Sequence, residues 1–253
     1  MAVFASRERP IDRRSSEIET APPRPTPQGP TLAAPLIVLA IAGALAATHL
    51  LLAALPRVTA FQIEWALSLS PLMVRQGLAN GAPGALLPLA THMLLHANLV
   101  HLLFNIAWML PLGAAVARRL GSADYEWGGA KSVLLFLALF IGGGVAGGLA
   151  FMFFNLNSAT PAVGASGAIF ALLGAAMRFW TGREMPRGAS DAPIVPLSHP
   201  FLIRMTLANV ALNLLMGFLP QILGAGRIAW EAHLGGYFFG LLAFPLFARA
   251  AAR

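Results

Sequence analysis

The stretch SVLLFLALFIGGGVAGGLAFMFFNLNSATPAVGASGAIFALLGAAM, Ser132 to Met177, runs 46 residues without Asp, Glu, Lys or Arg. About 20 apolar residues cross the roughly 30 Å hydrocarbon core of a bilayer. The stretch is therefore too long for one span and too short for two full spans with a wide loop. Turn formers break it at Asn155-Leu-Asn-Ser-Ala-Thr-Pro-Ala-Val-Gly164. The spacing predicts a full span over 132–154 and a short one over 166–180. If the far end of the short helix reaches the interface near Arg178, its start falls inside the membrane. Irregular backbone at that depth is tolerated only within protein or around water, so a water-filled cavity is implied.

Gly164-Ala165-Ser166-Gly167 sits at that start. Small residues in this pattern are common where membrane helices approach closely, and taken alone the four residues read as packing. A hydroxyl among glycines in an uncharged segment is also a candidate nucleophile, because polar groups in membranes need partners or a task. Only the companions of Ser166 can decide.

Of the 253 residues, 57% are apolar and 11% charged. Soluble domains carry about 25% charged residues, so the chain is an integral membrane protein. It has no cysteine, which excludes disulfides, thiolate nucleophiles and cysteine-ligated metal. The net charge of +7 is read as topology and contact with anionic lipid, not as nucleic-acid binding. Residues 1–30 are polar and proline-rich, with five Arg and four acidic residues. They are expected to form a disordered tail, since they cannot bury enough apolar surface to fold. The tail resembles neither a secretory signal nor an acid-poor presequence.

Further spans are expected at about 32–56, 92–117, 200–219 and 232–248, giving six. Residues 57–91 mix Arg57, Glu64, Trp65 and Arg75 with turn formers, and read as a loop with short amphipathic pieces at the interface. Six spans put both termini on one side. That side carries 14 basic residues, and the other holds Arg57, Arg75 and Arg227. The positive-inside rule makes the richer side cytoplasmic. The Ser166 end of the short helix then opens away from the cytoplasm. Ile141-Gly-Gly-Gly-Val-Ala-Gly-Gly148 in the third span is a close-packing surface.

On the outer side lie His92, His96, His101 and Asn105 at the start of the second span, and His233 at the start of the sixth. Gly236 and Gly240 let the sixth span approach another closely, and Gly167, Ala171 and Gly174 offer a matching surface on the fourth. Such packing brings His233 within hydrogen-bond reach of Ser166. A serine needs a base to take its proton, and a neutral imidazole suits that role. The developing oxyanion needs fixed donors; His101, Asn105 and the Ser166 backbone N–H are placed to supply them. No Asp or Glu is positioned to orient His233, since Glu231, two residues away, faces elsewhere. A Ser–His dyad is expected. His92 and His96 have metal-ligand spacing, but no intramembrane carboxylate completes a site; no metal or other cofactor is expected. His49 in the first span reads as a helix-contact or interfacial residue.

Three motifs now stand in order. His96-Ala-Asn-Leu-Val-His101-Leu-Leu-Phe-Asn105, Gly164-Ala-Ser-Gly167 and Ala232-His233-Leu-Gly-Gly236 resemble the signatures of the rhomboid intramembrane serine proteases of bacterial, six-helix type. The resemblance covers roughly residues 32–248. It implies an all-α membrane domain over 31–250 with a short central fourth helix. It also implies that Ser166 is the nucleophile, His233 the base and later the acid, and His101 and Asn105 the oxyanion donors. Gly164 and Gly167 shape the turn. Phe170 matches a position where the family often has an aromatic ring, usually Tyr, stacked on the histidine. His96 and His92 match supporting positions. The first loop departs from the pattern: many members have Trp-Arg where this chain has Glu64-Trp65.

The implied activity is hydrolysis of membrane-anchored proteins near the outer end of a transmembrane helix, through an acyl-enzyme. The implied location is the inner (plasma) membrane of a bacterium, with both termini cytoplasmic. The fifth helix is the family's usual candidate gate. Its Asn209 and Asn213 are four apart and can line the substrate path or serve as helix glue. Two rival classes fit the sequence less well. A client-holding relative without proteolysis usually lacks the serine or the histidine. A small transporter predicts intramembrane charges or paired broken helices, which this sequence does not show.

Overall fold

The computed structural model describes residues 33–180, 193–222 and 227–253. The expected tail over 1–30 and most of the polar connection around Arg183 and Asp191 lie outside these residues. Among the described residues the chain is helical, with one isolated bridge pairing Leu69 and Ala162. The helices are α1 (Leu36–Ala54), α2 (Arg57–Leu67), α3 (Pro71–Ala79), α4 (Pro88–Thr91), α5 (Leu99–Arg119), α6 (Ala130–Phe154), α7 (Ser166–Ala176), α8 (Pro200–Ile222) and α9 (Trp230–Ala252). A 3-10 turn, His92–Leu94, follows α4.

Five of these, α1, α5, α6, α8 and α9, are long and apolar enough to cross a membrane. The chain is a multi-pass helical membrane protein. With 11 residues, α7 is about 16 Å long at 1.5 Å per residue, about half the hydrocarbon thickness. Eight of its residues are buried, which makes it the centre of the bundle, packed against α5, α6 and α9.

Backbone contact explains that centre. A Cβ at Gly236 would overlap Gly167 O, one at Gly240 would overlap Ala171 O, and one at Gly174 would overlap Tyr237 O. The α7 and α9 backbones touch, as small residues in apolar helices allow. On α6, a Cβ at Gly143 would strike Ala171, and one at Gly147 would lie 2.6 Å from Ala232 O. The glycine stripe of α6 thus seats both α7 and α9.

Several element ends differ from the sequence expectation. The second span starts at Leu99, not His92: Asn98 is its N-cap, with its side chain accepting from His101 N. His92 and His96 therefore precede the helix. The fourth helix stops at Ala176, and the chain tightens through Phe179 N to Ala176 O (3.1 Å), the 3-10 geometry common at helix ends. The last span is longer than expected and begins at Trp230.

Between α1 and α5, the short helices clamp the loop over 155–165. Leu69 and Ala162 exchange both backbone bonds (3.0 and 2.9 Å), and Leu72 N donates to Ser158 O (3.1 Å). Arg75 donates to Leu156 O (3.1 Å) and Asn157 Oδ1 (2.5 Å). The region expected to lie at the interface also fixes the approach to Ser166.

Candidate active site

Gly164 has φ +120°, a conformation open to glycine and costly for other residues. A Cβ there would lie 2.8–2.9 Å from the His101 ring. Gly164 N donates to His92 O (2.9 Å). These constraints deliver the chain into α7 with Ala165 as N-cap and Ser166 as first residue. The first α7 bond from this region is Ile169 N to Ala165 O (3.0 Å). The amides of Ser166 and Gly167 belong to the unpaired first turn of the helix.

His233 lies in the first turn of α9. Its Nε2 is 2.9 Å from Ser166 Oγ. Phe170, one turn into α7, stacks on the imidazole with centroids 4.3 Å apart and planes 10° apart. Both Ser166 and His233 are partly exposed. His101 and Asn105 are one turn apart on α5. The His101 ring rests on Gly164, and Asn105 is buried, with Nδ2 donating to His101 O (2.8 Å). Gly167 and Gly236 meet at the α7–α9 crossing.

His96 is buried with its ring edge-on to His101, centroids 5.2 Å apart. Burial, then the neighbouring imidazoles of His101 and His49, pushes His96 down to about 4. Burial also lowers His92, whose Nδ1–H donates to Pro88 O (2.8 Å). Both rings are therefore neutral near pH 7. They brace the site: His92 through its carbonyl to Gly164, His96 through His101.

Glu231 turns away from His233, as its spacing suggested. It pairs with Arg227 and accepts from Asn155 Nδ2 (3.0 Å). Arg227 also lies over the Phe151 ring, 5.8 Å from its centroid. This cluster, with Glu231 and Phe151 buried and Arg227 exposed, ties the start of α9 to the end of α6.

One residue was missed as part of the site. Asn213 on α8 is buried, and its Oδ1 is 2.9 Å from His233 Nδ1. The sequence offered no carboxylate partner for the imidazole, and the structure supplies an amide. The available signal was the pair Asn209 and Asn213 at helical spacing in an otherwise apolar helix.

These features define a multi-pass helical membrane protein with a polar site assembled from the starts of two helices and flanking residues of two more. Residues 83–250, well over half of the chain, match the Rhomboid domain. The chain belongs to the rhomboid family. It is 32% identical over 155 residues to the rhomboid protease GlpG of Yersinia pestis (strain Pestoides F), a match covering 60% of this chain and 45% of that one. It is 29% identical over 160 residues to the rhomboid protease GluP of Bacillus subtilis (strain 168), covering 61% of this chain and 25% of the relative. The matched stretch thus spans less than half the length of either curated relative.

Proposed function

We propose that this protein is an intramembrane serine endopeptidase that cleaves membrane-spanning segments of other proteins. The observation that carries this reading is the 2.9 Å contact between His233 Nε2 and Ser166 Oγ at the start of a half-length helix. The names of its relatives as rhomboid proteases support it. In this reading Ser166 Oγ bonds to the scissile carbonyl carbon as its proton passes to His233 Nε2. The carbonyl oxygen becomes an oxyanion beside the Ser166 amide, His101 and Asn105, which act as donors to it. The C–N bond then breaks, and Nε2 returns the proton to the leaving amine. Water repeats the sequence on the acyl-enzyme, again losing a proton to Nε2, and Ser166 is released with its proton. The stacked Phe170 ring limits the imidazole to rotation in its own plane.

The charge asymmetry supports an orientation with both termini cytoplasmic and the Ser166 end of α7 toward the outer face. Substrates are then cut near the outer ends of their helices, where a helix unwinds most easily to expose backbone.

The test is incubation of purified protein in detergent with a generic single-span substrate and, separately, a fluorophosphonate probe, beside Ser166→Ala and His233→Ala. Wild type is expected to cleave and to label, and both variants to do neither. Folded wild type that neither labels nor cleaves would move the reading to a protein that holds membrane clients without cutting them.

A further inference from the structure

Asn213 makes three hydrogen bonds, and together they fix more than its own position. Its Nδ2 donates to the Asn209 backbone oxygen (2.9 Å) and to Asn209 Oδ1 (3.1 Å). A side-chain amide can be turned end for end without changing its shape, so the assignment of O and N rests on partners. Here one partner, the Asn209 carbonyl, only accepts. Turning the Asn213 amide would set two oxygens against each other in a buried site. Oδ1 therefore faces His233, and the contact at 2.9 Å requires a proton on Nδ1. In a neutral imidazole that leaves the lone pair on Nε2, aimed at Ser166 Oγ.

We propose that Asn213 is a positioning residue for His233: it selects the Nδ1–H tautomer and with it the basic nitrogen that faces Ser166. The inference rests on the proposed protease reading for its kinetic consequence, but not for the tautomer itself. Asn213 Oδ1 also suits the second state of the cycle. After His233 takes the serine proton both nitrogens donate, and the same oxygen still accepts from Nδ1–H. Asn209 stands behind it, because its carbonyl and side-chain oxygen hold the amide in register. Other attachments of α8 do not substitute for this contact. Thr206 Oγ1 bonds Tyr237 Oη (2.7 Å) two turns away, and Gly217 seats the Trp230 ring. Neither touches His233. Since the acceptor rides on α8, any separation of α8 from α9 removes it from the imidazole.

The expected kinetic result is a split. Asn213→Ala lowers kcat about tenfold to a hundredfold with KM little changed, because loss of a tautomer-fixing acceptor acts on the chemical step. Asn213→Asp keeps an acceptor toward Nδ1 but sets its second oxygen against the Asn209 carbonyl, so it is expected to recover only part of the kcat lost in Asn213→Ala. Its added charge raises the imidazole pKa and moves the acid limb of the kcat/KM profile to higher pH. A structural role alone would lower folded yield without moving that limb. Nitrogen-15 spectra of the histidine rings in micelles, with His233→Ala to assign the signal, read the proton's position without substrate. Wild type and Ser166→Ala are expected to carry it on Nδ1, and Asn213→Ala to shift toward Nε2–H. An Nε2–H signal in wild type, or wild-type kcat and pH profile in Asn213→Ala, overturns the proposal. If no variant or wild type cleaves, the protease reading fails while the spectra still decide the tautomer.

Discussion

Of the helices that pack against the start and middle of α9, α7 and α8 do so in opposite ways. On one side α7 meets α9 backbone to backbone, through Gly167 with Gly236 and Ala171 with Gly240. On the other side α8 carries exposed Leu207, Leu212 and Leu215 and reaches α9 through side chains. The first interface sets the Ser166–His233 distance. The second supplies Asn213. A contact made of backbone leaves almost no freedom, since interiors are close-packed and overlap cannot be relieved by a rotamer change. A contact made of a few hydrogen bonds, each with a net worth of about 1 kcal/mol, can open and close.

The most severe test of this contrast is a matched pair of glycine substitutions. Gly240→Ala puts a methyl into the Ala171 carbonyl and is expected to cost about 3 kcal/mol or more, at the upper end for overpacking, and to abolish probe labelling of Ser166. Gly217→Ala meets the Trp230 side chain from Cδ1 back to Cβ, which must shift as a whole but is not backbone, and is expected to cost about 1–2 kcal/mol with labelling retained. Unfolding in detergent measures both; equal costs would end the distinction. On the tightly held side, Asn105→Ala is expected to slow cleavage about tenfold to a thousandfold, the scale for loss of one oxyanion donor. Full activity in a substrate assay would remove it from that role.

A smaller effect separates the attachments of α8 from each other. Thr206→Val removes the bond to Tyr237 and is expected to cost about 1 kcal/mol of stability while leaving the pH profile of cleavage unchanged, unlike Asn213→Asp. A shifted profile would mean that any loosening of α8 disturbs His233. The smallest expected effect concerns the bracing histidines. His96 is held down to about 4, against about 6.5 in the unfolded chain. Between these values the unfolded state binds more protons, so stability falls as pH drops from about 6.5 and levels off near 4. The slope is at most about tenfold in the folding constant per pH unit for one site. His92, shifted the same way by burial, adds to it. His96→Asn should flatten this dependence; an unchanged slope would assign it elsewhere.

Much of the site was legible because its chemistry is local in sequence. Ser166, His101, Asn105 and His233 stand out as polar residues in apolar helices, where each needs a reason. The short fourth helix followed from counting residues against the bilayer thickness. The start of the second span was less visible, since the uncharged run from His92 onward hides the turn that Asn98 caps. The role of the 57–92 region was also hidden. Its bonds to the loop over 155–165 join residues some 80 to 90 positions apart, and nothing in either segment names the other.

The sequence alone determined the helical membrane class and the chemical groups available, because a backbone in lipid must satisfy its hydrogen bonds within helices and apolar length reports that directly. It also determined which helices can touch, through the glycines of α6, α7 and α9. Tertiary structure alone decided which face of α8 meets α9. Thr206, Asn209 and Asn213 share one side of that helix, but their spacing does not name the neighbour that they face. Only docking turns Asn213 to His233 and leaves Leu212, its neighbour in the chain, on the outer surface.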